Sequence, residues 1–128
     1  MDTPKVVVVD DDPTNVSLIK MLLEMDGFQV SPCGAITEAI DAATPEHNAF
    51  VIDCNLARGE SGMDLLTAVR QNNTAAPANT LVIMTSGDHR LEDEALTKGA
   101  NLFMLKPYSP GELSKMLLSL LNEGASNG

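Results

Sequence analysis

Five residues carry most of the chemical capacity of this sequence: Asp10, Asp11, Asp53, Thr85 and Lys106. Each stands directly behind a short apolar block. Asp10 and Asp11 follow "VVVV" (6–9), Asp53 follows "AFVI" (49–52), Thr85 follows "LVIM" (81–84) and Lys106 follows "LFML" (102–105). If those blocks are neighbouring parallel strands, the polar residues converge at the carboxyl edge of one sheet, where open α/β sheets bind ligands. Three carboxylates so close together cannot all stay ionised without a counter-charge. Lys106 supplies one positive charge, which is too little. A hard divalent cation with oxygen ligands, Mg²⁺ keeping several of its waters, makes up the deficit. Metal, lysine and hydroxyl together suit phosphoryl transfer, which needs positioning and charge neutralisation more than covalent work by further side chains. One aspartate can accept the phosphoryl group, while Lys106 and the Thr85 hydroxyl contact its oxygens.

The elements that must position these residues are legible in the same pattern. The four blocks are continuously apolar rather than alternating, as expected of strands covered on both faces. A further block, "FQVSPC" (28–33), alternates and contains Pro32, so it reads as an edge strand. Helical spacing fills the gaps. Asp12 reads as an N-cap with Pro13 at the first helical position, and that helix runs to Gly27. Ile36, Ala39, Ile40 and Ala43 mark a second helix that ends at "PEH", and 62–72 a third with Leu65, Leu66 and Val69 inward. An acidic helix covers 90–98 and stops at Gly99. The last, after Ser109-Pro110, places Leu113, Met116, Leu117, Leu120 and Leu121 on one face. The order is βα repeated, which predicts a doubly wound (βα)5 flavodoxin-like α/β fold with a five-stranded parallel sheet.

Composition narrows the function classes. The chain has 128 residues with 44% hydrophobic and 20% charged, the make-up of one globular domain. A net charge of −10 with eight scattered basic residues argues against direct nucleic-acid binding. No apolar run approaches the ~18–20 residues that span a bilayer, so the expectation is a cytoplasmic protein with no membrane contact. Cys33 and Cys54 form neither a disulfide framework nor a metal motif and are expected in the core. His47 and His89 read as surface or loop residues, and the seven methionines as packing.

The pieces "VVVVDDDP", "FVIDCNL" with the later "SGMDLL", "LVIMTSG" and "GANLFMLKPY", in this order and at these spacings, resemble the receiver domain of two-component response regulators, the chemotaxis regulator type among them, over essentially the whole chain. The resemblance implies strand order 2-1-3-4-5 and a domain over 1–122, with 123–128 as a flexible tail or truncated linker. It makes Asp53 the phosphoacceptor and Asp10 and Asp11 the acidic pair holding Mg²⁺. Asp11 is then the direct ligand, and Asn55 offers its backbone carbonyl. Thr85 becomes the switch hydroxyl, with Ser86 the alternative, and Lys106 pairs with the phosphoryl group and Asp53. Phe103 matches the aromatic switch, and Lys106-Pro107 a cis peptide. The implied partner is a histidine kinase or a histidine phosphotransfer protein. The implied readout is the face of the fourth helix, fifth strand and fifth helix, serving an output domain or a homodimer. The domain is then a phosphoacceptor that assists its own phosphorylation and slow dephosphorylation, not an enzyme acting on another substrate.

The sequence departs from the family's pattern at several points. Ala57 stands where many members have proline, the loop from Asp53 to Gly62 is a residue longer, and Phe103 lacks a phenol hydroxyl. Gly87, two after Thr85, sets no side chain over the site. Two other readings share parts of the pattern. "VVVVDDDPT" fits a haloacid dehalogenase-type phosphatase with Asp10 as nucleophile, Asp12 as acid/base and Thr14 next in the motif. That reading leaves Asp53 without a role. A pseudo-receiver would keep the fold as an unphosphorylated interaction module, which gives three clustered carboxylates no electrostatic purpose.

Overall fold

A computed structural model describes residues 3–126. Five strands alternate with five helices: β1 (Lys5–Val9), α1 (Pro13–Met25), β2 (Gln29–Cys33), α2 (Ile36–Ala42), β3 (Ala49–Asp53), α3 (Gly62–Arg70), β4 (Leu81–Ser86), α4 (Glu92–Thr97), β5 (Leu102–Leu105) and α5 (Pro110–Ser126). Every strand pairing is parallel, in the order β2-β1-β3-β4-β5. The predicted fold class, strand order and edge position of β2 are all present. The order reverses between β1 and β3, so the crevice expected at such a switch point opens between Asp10–Asp11 and Asp53.

Side-chain alternation divides the core into two layers. Val7, Val9, Phe50, Ile52, Val82 and Met84 point to one side of the sheet, where Leu65, Leu66 and Val69 of α3 and Ala39 of α2 cover them. Val6, Val8, Val51, Ile83 and Met104 point to the other, against Ile19 and Leu23 of α1 and Leu113 and Leu117 of α5. Burial on both faces is why these strands read as unbroken apolar runs.

α1 begins as its sequence dictates. The Asp12 carboxylate accepts from the backbone N–H groups of Thr14 and Asn15, and Pro13 opens the first turn. The chain leaves the helix through Gly27, whose φ of +98° is a left-handed position open to glycine.

Several boundaries and placements differ from expectation. β3 takes in Asp53 and β4 takes in Thr85 and Ser86, because backbone pairing continues past the apolar run: Cys54 N–H donates to the Thr85 carbonyl at 2.8 Å. The acidic fourth helix splits into a 3₁₀ turn (His89–Leu91) followed by α4, since Asp88 caps the turn by accepting from Arg90 N–H. α5 continues to Ser126, beyond the expected boundary at 123. One glycine at position 124 costs a helix only about 1 kcal/mol against alanine. Residues 127–128 of the expected tail lie outside the described residues.

Met116, Met21 and Met25 are exposed, the last at 75%, because helix rotation carries them off the buried stripes of α5 and α1. His47 is buried rather than on the surface, as the β2 edge and the α2–β3 loop close over it.

Candidate functional site

Backbone hydrogen bonds carry the sheet past its strand ends and so fix the loops that bear the polar residues. Asp10 N–H donates to the Cys33 carbonyl at 3.1 Å and Lys106 N–H to the Ser86 carbonyl at 2.8 Å. With the Cys54–Thr85 bond, every site-bearing segment is tied to its neighbour across the carboxyl edge. Asp10, Asp53 and Lys106 then meet at one point. Lys106 Nζ donates to Asp53 Oδ2 at 2.8 Å and to Asp10 Oδ2 at 3.3 Å. Asp10 and Asp53 are 5% and 8% exposed, whereas Asp11 lies open at the surface. Burial alone pulls the Lys106 ammonium down, but the hydrogen bond and charge of Asp53, with Asp10 behind it, outweigh that and raise it above the ordinary lysine value.

The donor set suits a hard cation. Asp10, Asp11 and Asp53 each present a carboxylate oxygen within 4.8 Å of the others, and all the ligating atoms are oxygen. Protein donors already engage two of the three carboxylates. Asp10 Oδ1 accepts from Asp12 N–H at 3.0 Å, and Asp10 Oδ2 accepts from Asn15 Nδ2 at 2.6 Å as well as from Lys106. Asp53 Oδ1 accepts from Asn55 N–H at 3.0 Å. Asp11 combines exposure with an anionic side chain at the mouth of the cluster.

Thr85 and Ser86 separate cleanly. Thr85 pairs in register with Asp53 and is 2% exposed, so its side chain shares the face of Asp53 and Ile83. Ser86 faces the opposite layer, and its hydroxyl accepts from Asp88 N–H at 3.0 Å and Asn55 Nδ2 at 3.4 Å. Phe103 pairs in register with Met84 and packs half-buried on that same opposite layer. Gly87 is exposed, with open space where a side chain would begin. Lys106-Pro107 is cis. Asp12 is occupied as the α1 cap, which removes it from the acid/base role of the phosphatase reading.

A family model for the response regulator receiver domain matches residues 6–118. The chain belongs to that family. Receivers of this kind are signalling domains of two-component systems, which work with histidine kinases. The transcriptional regulatory protein PrrA of Mycobacterium tuberculosis is 31% identical over 131 residues, covering 98% of this chain and 55% of that protein. CpxR of Escherichia coli, also a transcriptional regulatory protein, is 29% identical over 118 residues, covering 91% of this chain and 49% of its own. The receiver thus spans about half the length of the curated relatives it matches. Among solved structures, a CheY-like receiver domain protein from Methanospirillum hungatei superposes with a TM-score of 0.87 at 25% identity. That match covers 99% of this chain and 100% of the other. Among the described residues no helix is long and apolar enough to cross a membrane.

Three residues that shape the receiver's site, Asn15, Gly62 and Tyr108, and one that braces the opposite edge of the sheet, Arg70, escaped the sequence reading. Asn15, one turn into α1, holds the Asp10 carboxylate. Gly62, at the start of α3, lies against the backbone of Asp53, where a Cβ would collide with the Asp53 carbonyl oxygen and lie 2.7 Å from Ile52 Cγ2. A glycine directly after the Ser61 cap, at the first position of a helix, was the available signal. Arg70 ties the end of α3 to the carbonyls of Ala78, Thr80 and Gly99 and to Asn101 Oδ1. Tyr108 packs behind Lys106-Pro107, beside a groove of about 460 Å³ that Asn15, Leu18 and Lys106 also line.

Proposed function

We propose that this receiver accepts a phosphoryl group on Asp53 from the phosphohistidine of a histidine kinase or histidine phosphotransfer protein. The observation that carries the reading is the Lys106 ammonium, which bridges Asp53 at 2.8 Å and Asp10 at 3.3 Å beside an exposed third carboxylate. An Asp53 carboxylate oxygen forms the new bond to phosphorus as the phosphorus–nitrogen bond breaks, and the donor imidazole leaves with the electron pair. Lys106 stays beside the acceptor and neutralises the oxygens that gain charge. Thr85, on the face of Asp53, turns its hydroxyl to the same oxygens. Asp10, Asp11, Asp53 and the Asn55 backbone carbonyl would hold Mg²⁺, which supplies charge neutralisation for the transferring group.

Movement of Thr85 and Phe103 toward the phosphorylated site shifts an existing equilibrium between two surface arrangements. The readout is the face of α4, β5 and α5, where Leu96, Leu105 and Met116 are exposed. That face serves an output domain, as the greater length of the relatives supports, or a second copy. On this reading the domain spans 1–122, works in the cytoplasm and is a phosphoacceptor rather than a turnover enzyme.

Incubation with Mg²⁺ and acetyl phosphate, followed by mass mapping of acyl phosphate, tests the assignment. Label on Asp53 is the expected result. Label on Asp10 supports the phosphatase reading, and no label the pseudo-receiver.

A further inference from the structure

Asp10 accepts three hydrogen bonds, and the start of α1 supplies two of them. Asp12 N–H donates to Oδ1 at 3.0 Å, and Asn15 Nδ2 donates to Oδ2 at 2.6 Å. Lys106 Nζ shares Oδ2 from 3.3 Å but lies nearer Asp53, at 2.8 Å. A carboxylate offers about four lone-pair positions, so these donors leave about one for a cation or its water. Asn15 is half-buried and is placed by the same cap that starts the helix, since its own N–H donates to Asp12 Oδ1 at 3.4 Å. Asp10 is 5% exposed, and turning its carboxylate would break a bond at each oxygen.

We propose that Asn15 is a positioning residue for the metal centre: its amide locks the Asp10 carboxylate in one orientation within the acidic cluster and so sets the affinity of that cluster for Mg²⁺. An amide suits this role because it donates a short hydrogen bond and adds no formal charge. A lysine or arginine at the same place would hold Asp10 but cancel part of the negative charge that attracts the ion. The division of donors matters as well. Asn15 keeps hold of Asp10 when Lys106 turns wholly to the oxygens on Asp53, so the metal side need not rearrange as the phosphoryl group arrives. Removing the hydrogen-bond partner of a metal ligand typically costs about 10–100-fold in metal affinity. The inference rests on the reading of Asp10, Asp11 and Asp53 as a Mg²⁺ site.

Asn15→Leu keeps the size of the side chain and removes the donor. Thr14→Val makes the matching change one residue earlier in the same turn, at an exposed position, and controls for a general loosening of α1. Amide chemical shifts during a Mg²⁺ titration of the unphosphorylated protein read the affinity directly. Asn15→Leu should raise the Mg²⁺ dissociation constant about tenfold or more. The half-saturating Mg²⁺ concentration for phosphorylation by acetyl phosphate should rise by the same factor. Thr14→Val should stay within about twofold of wild type on both measures. An unchanged or tighter dissociation constant in Asn15→Leu, or an equal loss in Thr14→Val, overturns the proposal. Neither result touches the labelling of Asp53, which tests the phosphoacceptor reading separately. Absence of Mg²⁺ binding in the wild type overturns the metal site and this proposal with it.

Discussion

Lys106 and Asp53 stand 53 positions apart in the chain and 2.8 Å apart in the fold, ammonium to carboxylate oxygen. The contact exists because β3 and β5 flank β4 and each releases its polar residue at the same edge. Lys106→Met keeps the aliphatic stem and removes the charge, so the fold should persist. The rate of phosphorylation by acetyl phosphate should fall about tenfold or more, the scale expected for loss of one electrostatic contact to a developing charge. The raised lysine value fixes the pH dependence. The ammonium is present, with its stabilisation, at all pH values below the ordinary lysine range, and is lost only as pH climbs through the raised folded value. A loss of phosphorylation rate between about pH 6 and 9 that vanished in Lys106→Met would contradict this.

Asp11 and Asp12 are adjacent and should differ sharply. Asp11 is an exposed carboxylate of the acidic cluster, while Asp12 accepts two backbone N–H bonds as a helix cap. Asparagine caps about as well as aspartate. Asp12→Asn should therefore leave Mg²⁺-dependent phosphorylation within about twofold of wild type and stability within about 0.5 kcal/mol. Asp11→Asn should abolish that phosphorylation with the fold intact. Phosphorylation at a range of Mg²⁺ concentrations decides it, and greater damage from Asp12→Asn would revive the phosphatase reading.

The site was legible in the sequence to the extent that strand ends carry it. Asp10, Asp53, Thr85 and Lys106 were each marked by an apolar block, and parallel pairing alone was enough to bring them together. What escaped were contacts set by helix rotation and loop closure. Asn15 reaches Asp10 only because of where α1 sits on the sheet, and Tyr108 packs on the apolar cluster beside Leu113 and Leu117 only because of where the chain runs after Pro107. The burial of His47 depends on Ser31, a polar residue on an edge strand that gave no sign of a partner. Met21 and Met25 are apolar by type but lie off the stripe defined by Val16, Ile19 and Leu23. Residue type could not separate them.

Gly62 should be irreplaceable and Gly87 replaceable for stability. A methyl group at Gly62 meets the Asp53 carbonyl and Ile52, whereas one at Gly87 meets nothing within 4 Å. Gly62→Ala must push the backbone that carries Asp53 and should destabilise by about 1–3 kcal/mol, with slower phosphorylation. Gly87→Ala should change stability by less than about 0.5 kcal/mol. Urea midpoints of the two variants give the comparison, and equal midpoints would remove the argument for Gly62.

Cys54 adjoins Asp53 yet should be chemically silent. Burial pushes its thiol up to about 11, and the charges of Asp53 and Glu94 add to the shift against Lys106. The thiol is then protonated near neutrality and shielded from reagents. Alkylation by iodoacetamide at about pH 8 should be at least about a hundredfold slower in the native protein than in urea. Fast native labelling at Cys54 would mean that the β3–α3 segment opens readily.

His47 makes stability fall with acid. Thr44 N–H donates to His47 Nδ1 at 3.0 Å, so the neutral ring keeps its proton on Nε2, which faces Ser31 Oγ at 3.4 Å. Protonation puts a second hydrogen on Nδ1, where a donor already points. Burial and the Lys5 ammonium hold the imidazole below its ordinary value of 6.5, against opposing contributions from Thr44 and Glu46. A histidine depressed in the folded state binds fewer protons there than in the unfolded chain. The stability it contributes is therefore complete above the unfolded value and is lost as pH falls from about 6.5 toward the lower folded value. The charged groups facing the ring are Lys5 of β1 and Glu46 of the α2–β3 loop. Urea midpoints should decline between about pH 7.5 and 5.5 in the wild type. His47→Gln retains a hydrogen-bonding side chain without the titration, so its midpoint should start lower and change less across the same interval. A slope unaltered by His47→Gln would assign the acid sensitivity to the carboxylates instead.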